Sequence, residues 1–313
     1  MTTKNSPSNR SRGIGLHRFA VLTACCTWLL IIAGALVTGN EAGLAVPDWP
    51  LSYGSLTPPM IGGIFYEHGH RMIAATVGLL TVILALWLGK CESRPSVRRV
   101  GWVALGTVVA QGVLGGITVL FFLPTAVSVA HGCLAQAFFC MVVCIAWVTS
   151  RHWKENPTPA FPDNDHFPLR RLGFLAVVSV YFQLILGAYL RHAKSGIMLH
   201  VAGALIVSLM IIWVFIRVTG RYAHVPGLLR PALLSILLLI LQLFLGIGSF
   251  WIRTITRDAV QPEQLAVAIT TSHVAVGALL LAVILILTLE AFRLLMVPEK
   301  VSSFATLAQK ATL

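Results

Sequence analysis

The chain has 313 residues, of which 57% are hydrophobic and 11% charged, and its mean hydropathy is +0.84. A soluble domain of that length carries about a quarter charged residues, so a soluble globular protein is excluded and length counts membrane spans rather than domains. The net charge of +12 makes no case for nucleic acid, because basic residues of a membrane chain gather in its cytoplasmic loops.

The first basic residues, Lys4, Arg10 and Arg12, precede an apolar run that begins at Phe19. No small-residue cleavage site follows the run, which therefore reads as an uncleaved first helix rather than a signal peptide. Seven further runs are long enough to cross about 30 Å of hydrocarbon. The eight spans are expected near 19–38, 66–89, 100–121, 127–149, 172–190, 196–218, 231–252 and 266–292. With the N-terminus inside, 18 of the 23 Lys and Arg fall in cytoplasmic segments. Only Arg71, Arg191, Lys194, Arg253 and Arg257 fall outside, and this asymmetry predicts an N-in, C-in chain.

One connection stands apart, the polar and proline-rich "RHWKENPTPAFPDNDHFPLRR" at 151–171. It divides the chain into an N-terminal half, 1–150, and a C-terminal half, 172–313. The expected fold class is an all-α integral membrane protein of eight helices, arranged as two tandem homologous four-helix bundles. The halves run parallel because four spans return the chain to the same side. A short phrase recurs between them: "QGVLGG" from Gln111, "QLILGA" from Gln183 and "QLFLGI" from Gln242, with "LIIAGA" in the first helix. Small residues let helices approach in lipid and Gln bonds across a helix interface, and that packing role suffices to account for the phrase. Cys25, Cys26, Cys133, Cys140 and Cys144 lie within apolar runs and Cys91 just past one, so neither a structural disulfide nor an outer-face thiol relay is expected.

Ten histidines remain to be placed. His17, His152, His166 and His224 fall in solvated segments. His70, His131, His200 and His273 each sit a few residues into an even-numbered span, and every even span enters from outside. All four therefore share one depth, and the repeat matches His70 with His200 and His131 with His273. A lone intramembrane histidine is as often a hydrogen-bonded helix residue as a functional one, but four at one level favour a shared role. Two imidazoles from facing helices of a four-helix bundle can ligate one heme iron, giving His70 with His131 and His200 with His273. Zinc or copper fits less well, for lack of thiolate or a clustered extra ligand. His68 and His192 read as outer-face polar residues.

The halves differ in one place. Glu67 stands three residues before His70, on the same helix face, whereas Ile197 stands three before His200. Glu67 can take or give a proton beside the first ligand pair. The alternative is a solvated ion pair with Arg71 at i+4. Arg71 and Arg191 are candidates to bind heme propionates through charge-assisted bonds, the alternative being cations that snorkel to lipid headgroups.

The phrases "GALVTGNEAGLAVPDWPLSYG", "EHGHR", "AHG" and "GAYLRHAKSG" resemble the heme A synthase family, and the resemblance runs through all eight spans. It implies an enzyme of the cell membrane that oxidises the C8 methyl of heme O to the formyl of heme A by successive hydroxylations, for cytochrome oxidase assembly. It implies a resident heme b on His200 and His273, the porphyrin substrate on His70 and His131, and Glu67 as the catalytic carboxylate. The implied partners are heme O, the farnesyltransferase that produces it, an electron acceptor the sequence does not name, and membrane lipid, with no nucleic acid among them. One departure concerns the outside loop, where many bacterial members carry a cysteine in a phrase like W-P-L-C. Here the phrase reads "WPLSYG" with Ser52 in that place, so a mechanism needing a thiol there is excluded.

Rival readings make distinct demands. A two-heme electron-transfer cytochrome has two permanent b hemes and no need of Glu67, and a heme carrier binds reversibly without product. A prenyltransferase needs paired Asp-rich magnesium motifs, and the single cluster Asp163-Asn164-Asp165 does not supply them. The sequence leaves "PDWP" at 47–50 open between a lid and a rigid interfacial turn.

Overall fold

A computed structural model describes residues 7–155 and 161–296, with side chains from Gly13 onward. The side chains of Lys4, Arg10, Arg12, Lys300 and Lys310, and residues 156–160 of the linker, lie outside the described residues. The chain folds into α1 (Pro7–Gly39), α2 (Gly62–Cys91), α3 (Pro95–Leu120), α4 (Thr125–Thr149), a short α5 (Arg151–Glu155), α6 (Leu169–Ala193), α7 (Ile197–Arg221), α8 (Pro226–Ile255) and α9 (Gln264–Leu294). Eight of these helices, all but α5, are long and apolar enough to cross a membrane. The protein is an all-α, multi-pass membrane protein.

Each helix outruns the apolar stretch that announces it, because hydropathy marks the part buried in hydrocarbon and not the helix ends. Pro95 and Pro226 occupy first turns, where a missing N–H leaves no intrahelical bond unmade. Glu263 caps α9 by accepting from Ala266 N at 2.7 Å, so that helix starts two residues before its apolar run.

Helix α1 packs on α2 and α4, and α3 on the same two, which makes one four-helix group. A second forms where α6 and α8 each pack on α7 and α9. Each group has its own apolar interior, built around Leu84, Leu88 and Phe138 in the first and Ile211, Leu281 and Ile284 in the second. The groups meet where α1 and α4 touch α9 and α4 touches α6. Ile31, Phe139, Val143, Ala278 and Ala282 fill that seam, and the Trp28 indole donates across it to Ala275 O at 3.0 Å. Most of α9 is covered by protein, whereas the other seven spans turn most of their surface outward.

The Asp-Asn-Asp cluster of the linker is committed to structure. Asp163 is fully buried and its carboxylate accepts from Leu169 N at the start of α6, and Asp165 pairs with Arg217 and Arg221 of α7.

A similar clamp closes the α2–α3 turn. Buried Glu92 accepts from the backbone and side chain of Arg94, Arg94 also donates to Val148 O of α4 at 2.9 Å, and Lys154 stands 3.8 Å away. Burial pushes the Glu92 carboxyl up, but the Arg94 bonds outweigh it and bring it down to about 2. A carboxylate held below its ordinary value stabilises the fold fully above that value, and the contribution fades as pH falls toward the folded one. Glu92→Gln is expected to cost about 1–3 kcal/mol in detergent-solubilised protein, the worth of hydrogen bonds to a charged group. It also flattens the loss of stability seen on acidification from about 4.5 to about 2. Chemical denaturation of both proteins across that window checks it, and superimposable curves would show that the clamp contributes nothing.

Candidate functional site

His70 of α2, His131 of α4, His200 of α7 and His273 of α9 all lie within the first three turns of their helices, at one end of the bundle. Each imidazole lies across a glycine of the preceding span. A Cβ on Gly34 would stand 3.2 Å from His70 Nε2, and one on Gly115 3.4 Å from His131 Cε1. On Gly187 it would stand 3.1 Å from His200 Cε1, and on Gly246 3.1 Å from His273 Cε1. These are the four glycines of the recurrent phrase. Helix packing alone does not account for that phrase, because its glycines make the shelves on which the imidazoles rest. Its glutamines act on the same rings. Gln183 Nε2 donates to His200 O at 2.8 Å and lies 3.1 Å from His200 Nδ1, and Gln242 Nε2 is 3.3 Å from His273 Nε2.

Within each four-helix group the two histidines lie near one another. The rings of His200 and His273 lie edge to face, with centroids 6.3 Å apart and planes at 68°. Two imidazole–metal bonds of about 2 Å, plus about 1 Å from each ring centre to its nitrogen, span roughly 6 Å, so the spacing is of the order that two ligands of one metal ion require. His70 and His131 are likewise within electrostatic reach of each other. Among the described residues no group of three or more His, Cys, Asp or Glu is placed to hold a metal. A two-imidazole donor set suits a cofactor that brings its own equatorial ligands, as heme does. Among the described residues, the buried Nδ1 atoms of His131 and His273 and the buried Nε of Arg191 have no hydrogen-bond partner, which leaves donors and acceptors for a guest.

Beside His70, Glu67 is only 4% exposed. Its Oε1 accepts from Arg71 Nη2 at 2.7 Å and its Oε2 from Val46 N at 2.8 Å. The i+4 ion pair with Arg71 is therefore present, but it lies under a loop and not in a solvated helix mouth. Ile197 leaves the second pair without a carboxylate on that face.

The covering loop, residues 40–61, is fastened at several points. Arg71 Nη1 donates to Asp48 O and Leu51 O, both at 2.7 Å, and Nη2 reaches Val46 O at 3.3 Å. Buried Ser52 Oγ and His68 Nδ1 are 2.8 Å apart. His68 is thus a buried anchor of the loop and not an outer-face polar residue. The carboxylate of Asp48 accepts from Tyr53 N and Gly54 N at 2.7 and 2.8 Å, and those two N–H groups hold it below the usual carboxylate range. Trp49 lies against α3 at Gly116, where a Cβ would come within 2.7 Å of the indole. "PDWP" is a turn pinned to α2 through Arg71 and to α3 through Trp49. Arg71→Gln removes three of these bonds and is expected to speed amide exchange across residues 45–53 by roughly 10-fold or more, as about 1.4 kcal/mol of lost local stability would. Hydrogen–deuterium exchange reads this directly, and unchanged rates would mean the loop is held elsewhere.

Arg191 of α6 donates from Nη2 to Ala35 O of α1 at 2.9 Å, one residue from the Gly34 shelf, which places it between the two histidine pairs. Its Nε remains available, whereas Arg71 is largely spent on the loop. Arg253 lies within electrostatic reach of Arg191, and Lys194 ends α6 in the left-handed conformation.

Comparison with known proteins places this arrangement. A family model described as COX15-CtaA, cytochrome oxidase assembly protein, matches residues 2–143 and 63–201. Relatives named heme A synthase come from Shouchella clausii (25% identity, covering 75% of this chain and 86% of the relative) and Halalkalibacterium halodurans (26%, covering 74% and 87%). Another, from Symbiobacterium thermophilum, is 30% identical over 59% of this chain and 60% of its own length. The family match takes in Glu67, His70, Arg71, His131, Arg191 and His200 and spans well over half of the residues. The chain therefore belongs to the COX15-CtaA family of cytochrome oxidase assembly proteins.

Proposed function

We propose that this protein is a heme A synthase of a bacterial cell membrane, oxidising the C8 methyl group of heme O to a formyl group by two hydroxylations and loss of water. The observation that carries the reading is the asymmetry between two otherwise matching histidine pairs. Each ring rests on a glycine shelf, but only the pair of the N-terminal half has a buried carboxylate, Glu67, one turn from its ligand.

In this reading His70 and His131 hold the iron of the substrate, heme O, which the farnesyltransferase that makes it provides. His200 and His273 would hold a heme b, which would supply one-electron redox chemistry, and the final acceptor of the electrons lies outside the chain. Each hydroxylation withdraws two electrons and two protons and adds the oxygen of one water to the methyl carbon. Glu67 accepts a proton or orients that water. Val46 N–H and Arg71 fix the two carboxylate oxygens, so the group is oriented before substrate arrives. The pinned loop with Trp49 limits the access of bulk water, which strengthens every charge interaction beneath it. Arg191, with its unpartnered Nε, binds a propionate. The excess of Lys and Arg at the other end of the bundle supports cytoplasmic termini and an outward-facing histidine end.

The test is reversed-phase chromatography of hemes extracted from membranes that make heme O and express this chain. Heme A or its hydroxylated precursor is the expected product. Only heme B and unchanged heme O, recovered from folded and heme-loaded protein, would overturn the reading in favour of an electron-transfer cytochrome.

A further inference from the structure

At the end of the bundle opposite the histidines, a groove of about 550 Å³ opens between α2 and α3. Leu86, Gly89 and Lys90 line one side, and Arg98, Arg99 and Trp102 the other. Gly89 makes the room, since its missing Cβ would stand 3.8 Å from the Trp102 indole. Lys90 and Arg99 are exposed and Arg98 is half-buried. None of the three forms an ion pair among the described residues. The nearby acid, Glu92, is taken by Arg94 and Lys154. Pro95 also lines the groove, so the start of α3 is there and the positive end of its backbone dipole adds to the three cations.

The apolar surface continues from the groove. Leu79, Ile83 and Leu86 recur at helical spacing on one face of α2, and Trp102, Val109 and Val113 on one face of α3, and all six are exposed. Snorkelling cations spread singly along a membrane boundary. Here three converge on one gap between two helices, with no free acid beside them and an apolar strip on each flank.

We propose that this groove binds one anionic phospholipid. Its phosphodiester lies among Lys90, Arg98 and Arg99, and its acyl chains run along the exposed strips of α2 and α3. Trp102 supplies an amphipathic wall at headgroup depth. Basic pockets between membrane helices hold anionic headgroups because each cation near the surface adds to the attraction and neutral lipid gains nothing from it. A free phosphate ion shares the headgroup's chemistry but has no use for the apolar flanks.

The experiment uses the full chain in neutral detergent. Native mass spectrometry and thermal unfolding follow titration with phosphatidylglycerol, phosphatidylcholine or inorganic phosphate. One phosphatidylglycerol per chain is expected to bind and raise Tm, while phosphatidylcholine and millimolar phosphate have no effect. Replacing Lys90, Arg98 and Arg99 together by Gln is expected to weaken that binding at least roughly 10-fold. Replacing the exposed Arg151, Arg171 and Arg230 by Gln, which removes as much charge elsewhere, leaves it unchanged. Gly89→Leu fills the groove with every cation kept and is also expected to abolish binding, so the proposal stands or falls even if the triple variant does not fold. Equal binding of both lipids, equal weakening by the distant triple variant, or displacement of lipid by inorganic phosphate would each overturn it.

Discussion

Glu67→Gln is expected to abolish heme A formation, by roughly 10²- to 10⁴-fold as for the loss of a positioned acid–base group, while heme b stays bound at His200 and His273. The substitution keeps the volume of a side chain that is 4% exposed and retains an oxygen for Val46 N–H. It loses the proton-transfer capacity and the ion pair with Arg71. Loosening of the loop would mimic that loss, and Arg71→Gln separates the two effects: it frees the loop at Asp48, Leu51 and Val46 but keeps the carboxylate. If Glu67 acts in the chemistry, product falls far more in Glu67→Gln than in Arg71→Gln, even though exchange at 45–53 rises more in Arg71→Gln. Heme extraction and the Soret spectrum of each purified variant provide both readouts. Full activity in Glu67→Gln would remove Glu67 from the reaction.

Gly246→Val is expected to strip heme b from the protein. The first added carbon would already stand 3.1 Å from His273 Cε1, closer than an ordinary van der Waals contact, and the two methyls of Val leave the imidazole no room on its shelf. Turned aside, the ring no longer lies edge to face with His200 at 6.3 Å. Disturbing the support of a metal ligand costs roughly 10- to 100-fold in metal affinity, so heme b retained through purification should fall by about that factor. Gly106→Val is the control, since a Cβ at Gly106 meets nothing within 4 Å, and it carries the same β-branched penalty in a helix. Far-UV circular dichroism shows whether either variant stays helical. Full heme b content in Gly246→Val would show that the glycine does not position the ligand.

The four histidines and Glu67 were legible in the sequence because ionisable groups are rare inside apolar runs and a repeat aligned them. The role of the glycines was not. Each lies a different distance from its histidine, 36 residues for Gly34 to His70 but 13 for Gly187 to His200, so loops of unequal length hide a register that only the packed helices reveal. The burial of Glu67, Arg71 and His68 was hidden for a related reason. Helical spacing gives the ion pair, but whether water reaches it depends on an irregular loop whose path is set by backbone acceptors and the Ser52 hydroxyl, groups that hydropathy does not weigh. Helix existence was clear from apolar length alone, whereas helix ends depended on Pro95, Pro226 and Glu263, where local capping decides.

The covered position of α9 bears on how the protein is made. That helix joins both four-helix groups and brings His273, yet the ribosome produces it after α1, α4, α6 and α8, the spans it packs against. The seven spans before it can enter the membrane as they emerge, but Ile31 of α1 and Phe139 of α4 meet Ala278 and Ala282 across the seam only once α9 is in place. Union of the two groups and completion of the His200–His273 pair therefore depend largely on the same helix.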